Sequence, residues 1–408
     1  MKSIAILTGG GPAPGMNTVV ASVAKTFLRD GYRVIGLHGG YSALFTDKPR
    51  MQDLDFLTAD EIFNKGGSIL KMSRFKPTPE DFEQRFNLKL FTDNEIKLLV
   101  TVGGDDTAST ANRIAKFLAD KHYPIANIHV PKTIDNDLPV TDHCPGYGSA
   151  AKYIATTLKE VIRDNESFGA AKPTVEVCEI MGRDAGWLTA AAALAKGDDC
   201  TGVDAIYLPE TAFDVDAFMA KVDYLSTHKH SVVIAVSEGV KLADGRYVME
   251  LGSENAMVDA FGHKQLSGTA STLCKMIAQK TGLKTRAIEF STMQRAGSHV
   301  ASLTDINEAF AAGKLAAEAA SEGATGEMVI FKRLNKPGEP YQCGFSRYDV
   351  HEIANGVKNV PLEWINETHD GLTQDYINYA KPLIQGELIP FWCDGTPRHL
   401  VMKELADF

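Results

Sequence analysis

One recurring pattern constrains the fold of this chain most strongly. A short apolar run stops at a glycine or a polar turn and then leads into a helical stretch. Residues 3–7, SIAIL, form such a run, a helical pattern follows at about residues 16–28, and residues 33–37, RVIGL, form the next run. Strand, glycine turn, helix and strand in this order make a βαβ unit. Such units build a parallel sheet whose faces are covered by helices.

The same pattern recurs along the chain. A predicted strand at residues 97–102 leads into a predicted helix at 107–118 and a further strand at 125–130. A second set comprises predicted strands at residues 174–180, 205–208 and 232–237 and predicted helices at 149–163, 185–196, 215–225 and 305–320. The predicted fold class is therefore α/β, followed from residue 335 by a less periodic segment that is rich in proline, glycine and aromatic residues.

Composition bounds the classes of function. The 408 residues are enough for roughly two domains of about 150 to 200 residues each. The net charge of −10 argues against a general nucleic-acid binder, although a local basic pocket on an acidic protein can still bind phosphate. Six cysteines without metal-binding spacing predict free thiols in a reducing compartment, and no run is long enough for a signal peptide or a membrane span. We therefore expect a cytoplasmic protein with neither nucleic acid nor membrane as a partner.

The first motif is a glycine-rich loop at residues 8–17, TGGGPAPGMN, between a predicted strand and a predicted helix. Glycines such as Gly10 and Gly11 let backbone N–H groups approach an anion, and the helix N-terminus adds a partial positive charge. The loop lacks the lysine and hydroxyl pair that closes a P-loop. A tight strand-to-helix turn without a ligand is the alternative.

Two acidic motifs also follow predicted strands: GGDDT at residues 103–107 and PKTIDND at residues 131–137. The carboxyl ends of parallel strands are where open α/β sheets bind ligands. A carboxylate beside a phosphate-binding loop suits Mg²⁺, and a carboxylate in the second motif can take a proton from an attacking hydroxyl. Capping of the next helix and a solvated Asx turn are the corresponding alternatives.

Arginines mark a further set of motifs. Residues 179–187, EIMGRDAGW, carry Arg183 where a predicted strand runs into a helix; SEG follows at residues 237–239, and Arg286 and Arg295 lie further on. An arginine at such a turn can bind a phosphate through two parallel hydrogen bonds. Each of these arginines, taken singly, also fits an ordinary surface position.

Taken in order, the glycine loop, GGDDT, PKTIDND, MGRDAGW, SEG and Gln294-Arg295 resemble the succession of motifs in the phosphofructokinase family. The resemblance covers roughly residues 3–320 and is most specific in PKTIDND and MGRDAGW. It implies two Rossmann-like parallel-sheet domains with the active site in the cleft between them, plus a C-terminal extension. The implied division is 1–148 for the phosphoryl donor, with part of 298–334 packing back on it, 149–297 for fructose 6-phosphate, and 335–408 for the extension.

The resemblance also implies roles for single residues. Gly10 and Gly11 would contact the phosphates of the donor through their backbone N–H groups. Asp105 would bind Mg²⁺ beside those phosphates. Asp135 would be the general base that takes the proton from the 1-hydroxyl of the sugar.

Other residues would support the base or hold the sugar. Thr133 and Asp137 would support Asp135. The residues that would hold fructose 6-phosphate are Met181, Gly182, Arg183, Glu238 and Arg295. Arg286 is similar to a family arginine that reaches the substrate phosphate of a neighbouring subunit, which implies a homodimer or a homotetramer.

The choice of phosphoryl donor depends on Asp106 and Lys132. ATP-dependent members of the family typically carry glycine at both positions, so this pair is similar to the pyrophosphate-dependent branch. A carboxylate at Asp106 would lie near the site of the α-phosphate of ATP and would repel it. The ammonium of Lys132 would neutralise compact pyrophosphate and the charge of the transferring group.

The expected function is reversible transfer of a phosphoryl group from pyrophosphate to the 1-hydroxyl of fructose 6-phosphate, a step of glycolysis and gluconeogenesis that gives fructose 1,6-bisphosphate and phosphate. The rival enzymes are an ATP-dependent phosphofructokinase and a member of the NAD and lipid kinase group, which shares GGDGT-like turns. The rival from another class is a non-catalytic, metabolite-sensing subunit. Such a subunit should lack the base or the metal carboxylate, whereas Asp135 and Asp105 are both present.

Overall fold

The computed structural model describes residues 2–169, 172–252, 268–336, 338–350 and 356–401. The strands are β1 (Ser3–Thr8), β2 (Arg33–Leu37), β3 (Met51–Leu54), β4 (Ile96–Gly103), β5 (Ala126–Pro131), β6 (Thr174–Ile180), β7 (Ala205–Tyr207), β8 (Ser231–Ser237), β9 (Lys284–Glu289), β10 (Glu327–Arg333), β11 (Cys343–Asp349), β12 (Trp392–Cys393) and β13 (Thr396–Pro397).

The α-helices are α1 (Met16–Arg29), α2 (Phe56–Ile62), α3 (Pro79–Gln84), α4 (Leu88–Asp93), α5 (Asp105–Asp120), α6 (Tyr147–Glu166), α7 (Trp187–Ala190), α8 (Val215–His228), α9 (Thr269–Thr281), α10 (Met293–Ala296), α11 (Leu303–Ser321) and α12 (Gln374–Ala380). Short 3₁₀ helices lie at Gly40–Leu44, Ala191–Ala195, Val248–Gly252, Ser298–Val300, Leu362–Trp364 and Lys381–Ile384.

Two large sheets organise the described chain. The first has the order β11-β10-β5-β4-β1-β2-β3, and its five inner strands run parallel while β3 and β11 pair antiparallel at the edges. The second has the order β7-β8-β6-β9 and is parallel throughout. The predicted α/β fold with two parallel sheets is confirmed, and the antiparallel edges are an addition that the local sequence pattern did not indicate.

Burial explains why the inner strands are rich in apolar residues. Every residue of β1 is buried, and so is every residue of β6. Strands of a parallel sheet are covered on both faces by helices, so no alternation between polar and apolar residues is needed. The ends of these strands are therefore the places where the sequence turns polar, and those ends carry the chemistry.

Helix α11 follows the second sheet in sequence but packs on the first, against α1. Small residues let the two backbones approach, since a Cβ on Gly313 would lie 2.8 Å from the Val19 carbonyl oxygen. Asp305 of α11 also accepts hydrogen bonds from the backbone N–H groups of Gly146 and Ser149, at 2.9 and 3.2 Å, which caps the start of α6. The chain thus returns to its first half after completing the second sheet.

The segment after residue 335 contacts both sheets. Strand β11 extends the first sheet next to β10. Helix α12 places Tyr376, Tyr379 and Ala380 in the apolar core around Trp187, beside the second sheet. Helix α11 and the segment after residue 335 both pack across the predicted domain boundaries. The boundaries at residues 148, 297 and 335 therefore stay a prediction.

Two predicted helices differ from the structure. The helix predicted at residues 185–196 is wrong as drawn: α7 has four residues, and the chain then tightens into the 3₁₀ turn at Ala191–Ala195, packed against α6. The helix predicted from residue 107 begins earlier, because Asp105 and Asp106 form its first turn, where negative side chains complement the helix dipole. No helix among the described residues is long and apolar enough to cross a membrane.

Candidate active site

The carboxyl ends of β1, β4 and β5 in the first sheet and of β6 and β8 in the second face one cavity of about 470 Å³. Predicted site residues that line it are Gly10, Gly11, Asp105, Asp106, Lys132, Thr133, Asp135, Asp137, Met181, Arg183, Glu238 and Arg295. Of the other predicted site residues, Gly182 and Arg286 are not in the lining. The motifs are far apart in sequence and meet here because parallel strands end at the same edge of a sheet.

Glycines allow close backbone packing in the first wall of the cavity, which the first sheet supplies. Gly10 has a φ of +78°, a left-handed conformation that favours glycine. A Cβ on Gly9 or on Gly103 would overlap the Thr107 side chain, so the first turn of α5 can pack this closely only against glycines. The carbonyl oxygen of Gly11 accepts a hydrogen bond from the Lys132 ammonium. The loop therefore presents backbone to the cavity at close range, as an anion site requires.

Lys132 carries its positive charge into the interior of this wall. Its side chain is buried, and its backbone N–H donates to the Gly103 carbonyl oxygen at 2.9 Å. Burial lowers the pKa of Lys132 to about 8, although the neighbouring Asp135 carboxylate acts in the opposite direction. A buried ammonium of this kind is well placed to meet a phosphate that is desolvated in the cavity.

Asp135 lines the cavity and is held by Thr133. The Asp135 backbone N–H donates to Thr133 Oγ1 at 3.1 Å, and the Thr133 hydroxyl donates to Asp135 Oδ2 at 3.2 Å. Burial raises the pKa of Asp135; the Thr133 hydrogen bond and the Lys132, Arg295 and Arg183 cations oppose that rise. A carboxylate with a raised pKa is a stronger base than one in water, which suits proton abstraction from a hydroxyl.

The turn that carries these carboxylates is fixed by Asn136. This buried residue has a φ of +56°, in the left-handed region that asparagine tolerates better than most residues. Its Oδ1 accepts from the Cys144 backbone N–H at 3.1 Å, and its Nδ2 donates to the Tyr379 hydroxyl at 2.8 Å. Because Asn136 is anchored on both sides, the two flanking aspartates project from a rigid turn.

Asp137 is the second carboxylate of this turn. Burial, followed by the charge of Asp135, raises the pKa of Asp137 from 3.8 to about 7, and Asp105 adds to that rise. Ionised Asp137 is therefore unfavourable in the folded protein without its ligands. The folded protein holds the proton of this carboxyl more tightly than the unfolded chain does. The protonated carboxyl therefore stabilises the folded state fully below the pKa of the unfolded chain, and this stabilisation is lost as the pH rises through the pKa of the folded protein, about 7.

We therefore expect the Asp137→Asn variant to be more stable than the parent protein at pH 8. The difference in free energy of unfolding should be about 2 kcal/mol at pH 8 and should shrink as the pH falls from 7 to 4. Urea unfolding in the presence of a chelator, at pH 5 and at pH 8, measures it. Asp120→Asn, at the exposed end of α5, is the control. The same difference in free energy of unfolding at both pH values would contradict this expectation.

Asp105 and Asp106 lie exposed at the start of α5 and line the cavity. Asp105 Oδ1 accepts from the Asp106 backbone N–H at 2.7 Å, and Asp106 Oδ1 lies 2.7 Å from Lys76 Nζ. The lining offers carboxylates and hydroxyls and, among the described residues, neither cysteine nor histidine. This set of oxygen donors fits a hard divalent cation such as Mg²⁺.

The opposite wall comes from the second sheet. Gly182 has a φ of +151° and lies behind the wall, where its carbonyl oxygen accepts from Ser237 Oγ and from the Gly239 backbone N–H. A Cβ on Gly239 would overlap the Arg183 carbonyl oxygen, so the SEG motif needs its glycine for close approach. The outcome is a compact turn from which Arg183 and Met181 reach the cavity.

This second wall carries both an acidic side chain, Glu238, and a basic one, Arg295. Burial raises the pKa of Glu238 to about 7, so near neutrality its carboxyl can donate as well as accept a hydrogen bond. Burial and the neighbouring Arg74 lower the pKa of Arg295. Gln294 does not line the cavity; its Oε1 accepts from the Met181 backbone N–H at 3.3 Å and fixes that segment.

Arg286 lies elsewhere. It is part of β9, and its Nη1 is 2.7 Å from Glu176 Oε1 and 3.3 Å from Asp164 Oδ2. Its side chain is 40% exposed. Arg286 therefore does not line the cavity of its own chain, and its contact with the substrate phosphate of a neighbouring subunit stays a prediction.

Sequence reasoning missed one part of the lining. Ser73, Arg74, Phe75 and Lys76 come from the irregular segment between α2 and α3 and close the cavity on a third side. The segment has neither strand nor helix periodicity and follows no predicted strand, so the only available signal was its pair of basic residues. Arg74 adds a positive charge beside Arg295, which strengthens the case for a phosphate ligand.

Comparison with known proteins identifies the family of the chain. Residues 3–320 match the family model described as phosphofructokinase. A pyrophosphate--fructose 6-phosphate 1-phosphotransferase of Halomonas elongata is 38% identical over 327 residues, which are 79% of this chain and 77% of that protein. The enzyme of the same name from Methylococcus capsulatus is 37% identical over 320 residues, covering 78% and 74%.

A solved structure extends the likeness to the whole chain. The crystal structure of a pyrophosphate-dependent phosphofructokinase from Nitrosospira multiformis has a TM-score of 0.86 and 31% sequence identity, and covers 100% of this chain and 99% of its own. The fold and these relatives thus identify an enzyme of the phosphotransferase class that acts on small molecules. The chain belongs to the phosphofructokinase family, whose enzymes generally use a divalent metal ion.

Proposed function

We propose that this chain is a pyrophosphate-dependent phosphofructokinase of the cytoplasm. It transfers a phosphoryl group reversibly from pyrophosphate to the 1-hydroxyl of fructose 6-phosphate, giving fructose 1,6-bisphosphate and phosphate. The observation that carries the choice of donor is the joint presence of Asp106 and Lys132 at the donor end of one cavity. All six cysteines are free thiols, which suits a reducing compartment.

The two walls divide the work between donor and acceptor. Gly10, Gly11 and Lys132, from the first sheet, hold pyrophosphate. Met181, Glu238 and the arginines of the second wall hold the sugar phosphate, for which a planar guanidinium is well suited. Residues 1–148 then serve the donor and residues 149–297 the sugar, in keeping with the two sheets that supply these walls.

Asp135 performs the proton transfer. Its carboxylate takes the proton from the 1-hydroxyl as the oxygen attacks the terminal phosphorus, and phosphate leaves in line. The Thr133 hydroxyl holds Asp135 in place, and Lys132 meets the charge that grows on the transferring group. Mg²⁺ held by Asp105 would neutralise charge on the donor phosphates when it is bound.

Arg286 supports a role for a second copy of the chain. Its guanidinium is partly exposed and lies outside its own cavity. In a homodimer or homotetramer, it would contribute to the sugar-phosphate site of a neighbour. Size measurement by light scattering and activity of Arg286→Met, which should raise the KM for fructose 6-phosphate more than that for pyrophosphate, would test this arrangement.

A two-donor, two-sugar assay on the purified protein tests the function. Pyrophosphate and ATP are each supplied with fructose 6-phosphate or sedoheptulose 7-phosphate, in the presence of Mg²⁺. We expect turnover with pyrophosphate and fructose 6-phosphate. Turnover with ATP alone would identify an ATP-dependent phosphofructokinase, and no turnover with any pair would favour the non-catalytic subunit.

Replacing Asp106 by glycine should open the site to ATP. The variant removes the carboxylate that repels the α-phosphate, so kcat/KM for ATP should rise about tenfold or more. Steady-state assays with each donor at saturating sugar measure the ratio. Asp120→Gly removes a carboxylate from the other end of α5 and serves as the control. If the ratio of kcat/KM for ATP to kcat/KM for pyrophosphate is unchanged in Asp106→Gly, Asp106 does not select the phosphoryl donor.

A further inference from the structure

The segment at residues 356–384 lies beyond the residues that match the family model, yet it lies directly beneath the turn at residues 135–142. The backbone N–H of Lys358 donates to the Asp137 carbonyl oxygen at 2.7 Å. The Lys358 ammonium donates to the carbonyl oxygens of Thr141 and Asp142 at 3.0 and 2.8 Å. One residue of this segment therefore satisfies three backbone acceptors of the turn that carries the proposed base.

Tyr379 of α12 contacts the same turn from another direction. Its hydroxyl accepts from Asn136 Nδ2 at 2.8 Å and donates to the Asp142 carbonyl oxygen at 2.7 Å. The Tyr379 side chain is buried, so these bonds have little competition from water. Asn136 lies between the two aspartates and has a left-handed backbone, which makes its anchoring important for where both carboxylates point.

The segment is also tied to the opposite wall of the cavity. Trp187 Nε1 donates to the Lys358 carbonyl oxygen at 2.7 Å, and the Lys358 ammonium lies 5.2 Å from the centre of the Trp187 ring. Glu210 Oε1 accepts from the backbone N–H groups of Val360 and Gly186, at 2.9 and 2.7 Å. The segment thus links the turn after β5 to the turn after β6, which carries Arg183.

We propose that Lys358 and Tyr379 are positioning residues of the active site, which hold the turn at residues 135–142 so that the Asp135 carboxylate faces the sugar 1-hydroxyl. Neither side chain lines the cavity, and both act through the backbone or through Asn136. This inference rests on the proposed function, since it concerns the same proton transfer. Its consequence is that the chain after residue 335, for which the sequence indicated no role, completes the catalytic centre.

The test is a pair of matched tyrosine variants. Tyr379→Phe removes only the hydroxyl that contacts the turn. Tyr376→Phe removes the hydroxyl of another buried tyrosine of the same helix, which instead contacts the Tyr147 hydroxyl at 2.8 Å and the Trp187 carbonyl oxygen at 3.1 Å. We expect Tyr379→Phe to lower kcat about tenfold with both KM values within about twofold, and Tyr376→Phe to keep kcat while it lowers the thermal midpoint to a similar extent.

Lysine variants provide a second, independent measurement. Lys358→Met should lower kcat about tenfold or more, and Lys358→Arg, which keeps the charge, should recover part of that loss. Lys381→Met, at an exposed position of the same segment, is the control. The tyrosine pair decides the matter even where Lys358→Met does not accumulate as folded protein.

Two results would overturn the inference. One is an equal kcat for Tyr379→Phe and Tyr376→Phe, and the other is a fall in thermal midpoint for Tyr379→Phe without any change in kcat. Failure of the proposed function looks different, because the unmodified protein would then not turn over pyrophosphate and fructose 6-phosphate at all.

Discussion

Replacing Asp135 by asparagine should lower turnover with pyrophosphate and fructose 6-phosphate by a factor of about 100 or more. The amide has the shape of the carboxylate and can keep the hydrogen bond from the Thr133 hydroxyl, so the turn should survive. It cannot take a proton from the 1-hydroxyl. The loss should therefore be in kcat, with both KM values little changed.

Two further measurements make this expectation specific. Asp120→Asn, which changes an exposed carboxylate at the end of α5, should leave turnover unchanged. In the parent protein, activity should fall at low pH, because burial raises the pKa of the Asp135 base and protonation removes it. Near-normal turnover of Asp135→Asn would exclude Asp135 as the base and would direct attention to Asp137.

Replacing Lys132 by methionine should lower kcat/KM for pyrophosphate by a factor of about 100 to 1,000, which is the usual effect of removing one positioned donor to a developing negative charge. Methionine fills similar buried space, so the packing around Gly11 and Gly103 should be kept. The ammonium is lost, and with it the neutralisation of the transferring group. Steady-state assays over a range of pyrophosphate concentrations measure the effect.

The pH dependence gives Lys132 a separate signature. Burial lowers its pKa to about 8, so the free enzyme should lose affinity for pyrophosphate as the pH rises above about 8 and the ammonium gives up its proton. Lys132→Met should show no such fall. Lys116→Met, an exposed lysine of α5, is the control and should behave like the parent protein. A Lys132→Met variant with parental kcat/KM would contradict the role of this residue.

The site was accessible to sequence reasoning where its residues follow buried strands. Asp105, Asp135 and Arg183 each come within four residues of the end of a largely buried strand, and the topology of a parallel sheet alone is enough to bring such positions to one edge. The strand at Thr174–Ile180 was predicted to the residue, and all of it is buried. Local pattern and global topology agree there.

Other parts depend on contacts that no local pattern encodes. The edge strand β9, KTRAIE, mixes exposed and half-buried residues and carries charges, so no apolar run marks it. Asp305 caps a helix that begins 158 residues earlier in the chain, and Lys358 contacts a turn more than 200 residues away. Such residues are recognised only when the chain that separates them has folded.

The return of the chain to its first sheet has a consequence for the order of folding during synthesis. The strands of the second sheet are contiguous in sequence, between residues 174 and 289. In the first sheet, by contrast, one edge of β5 stays unpaired until its partner β10, at residues 327–333, has been synthesised. A growing chain can therefore assemble its later half before its earlier half is complete. Until the last part has left the ribosome, β5 presents an unpaired edge, and the nascent protein is most exposed to aggregation at the half that was made first.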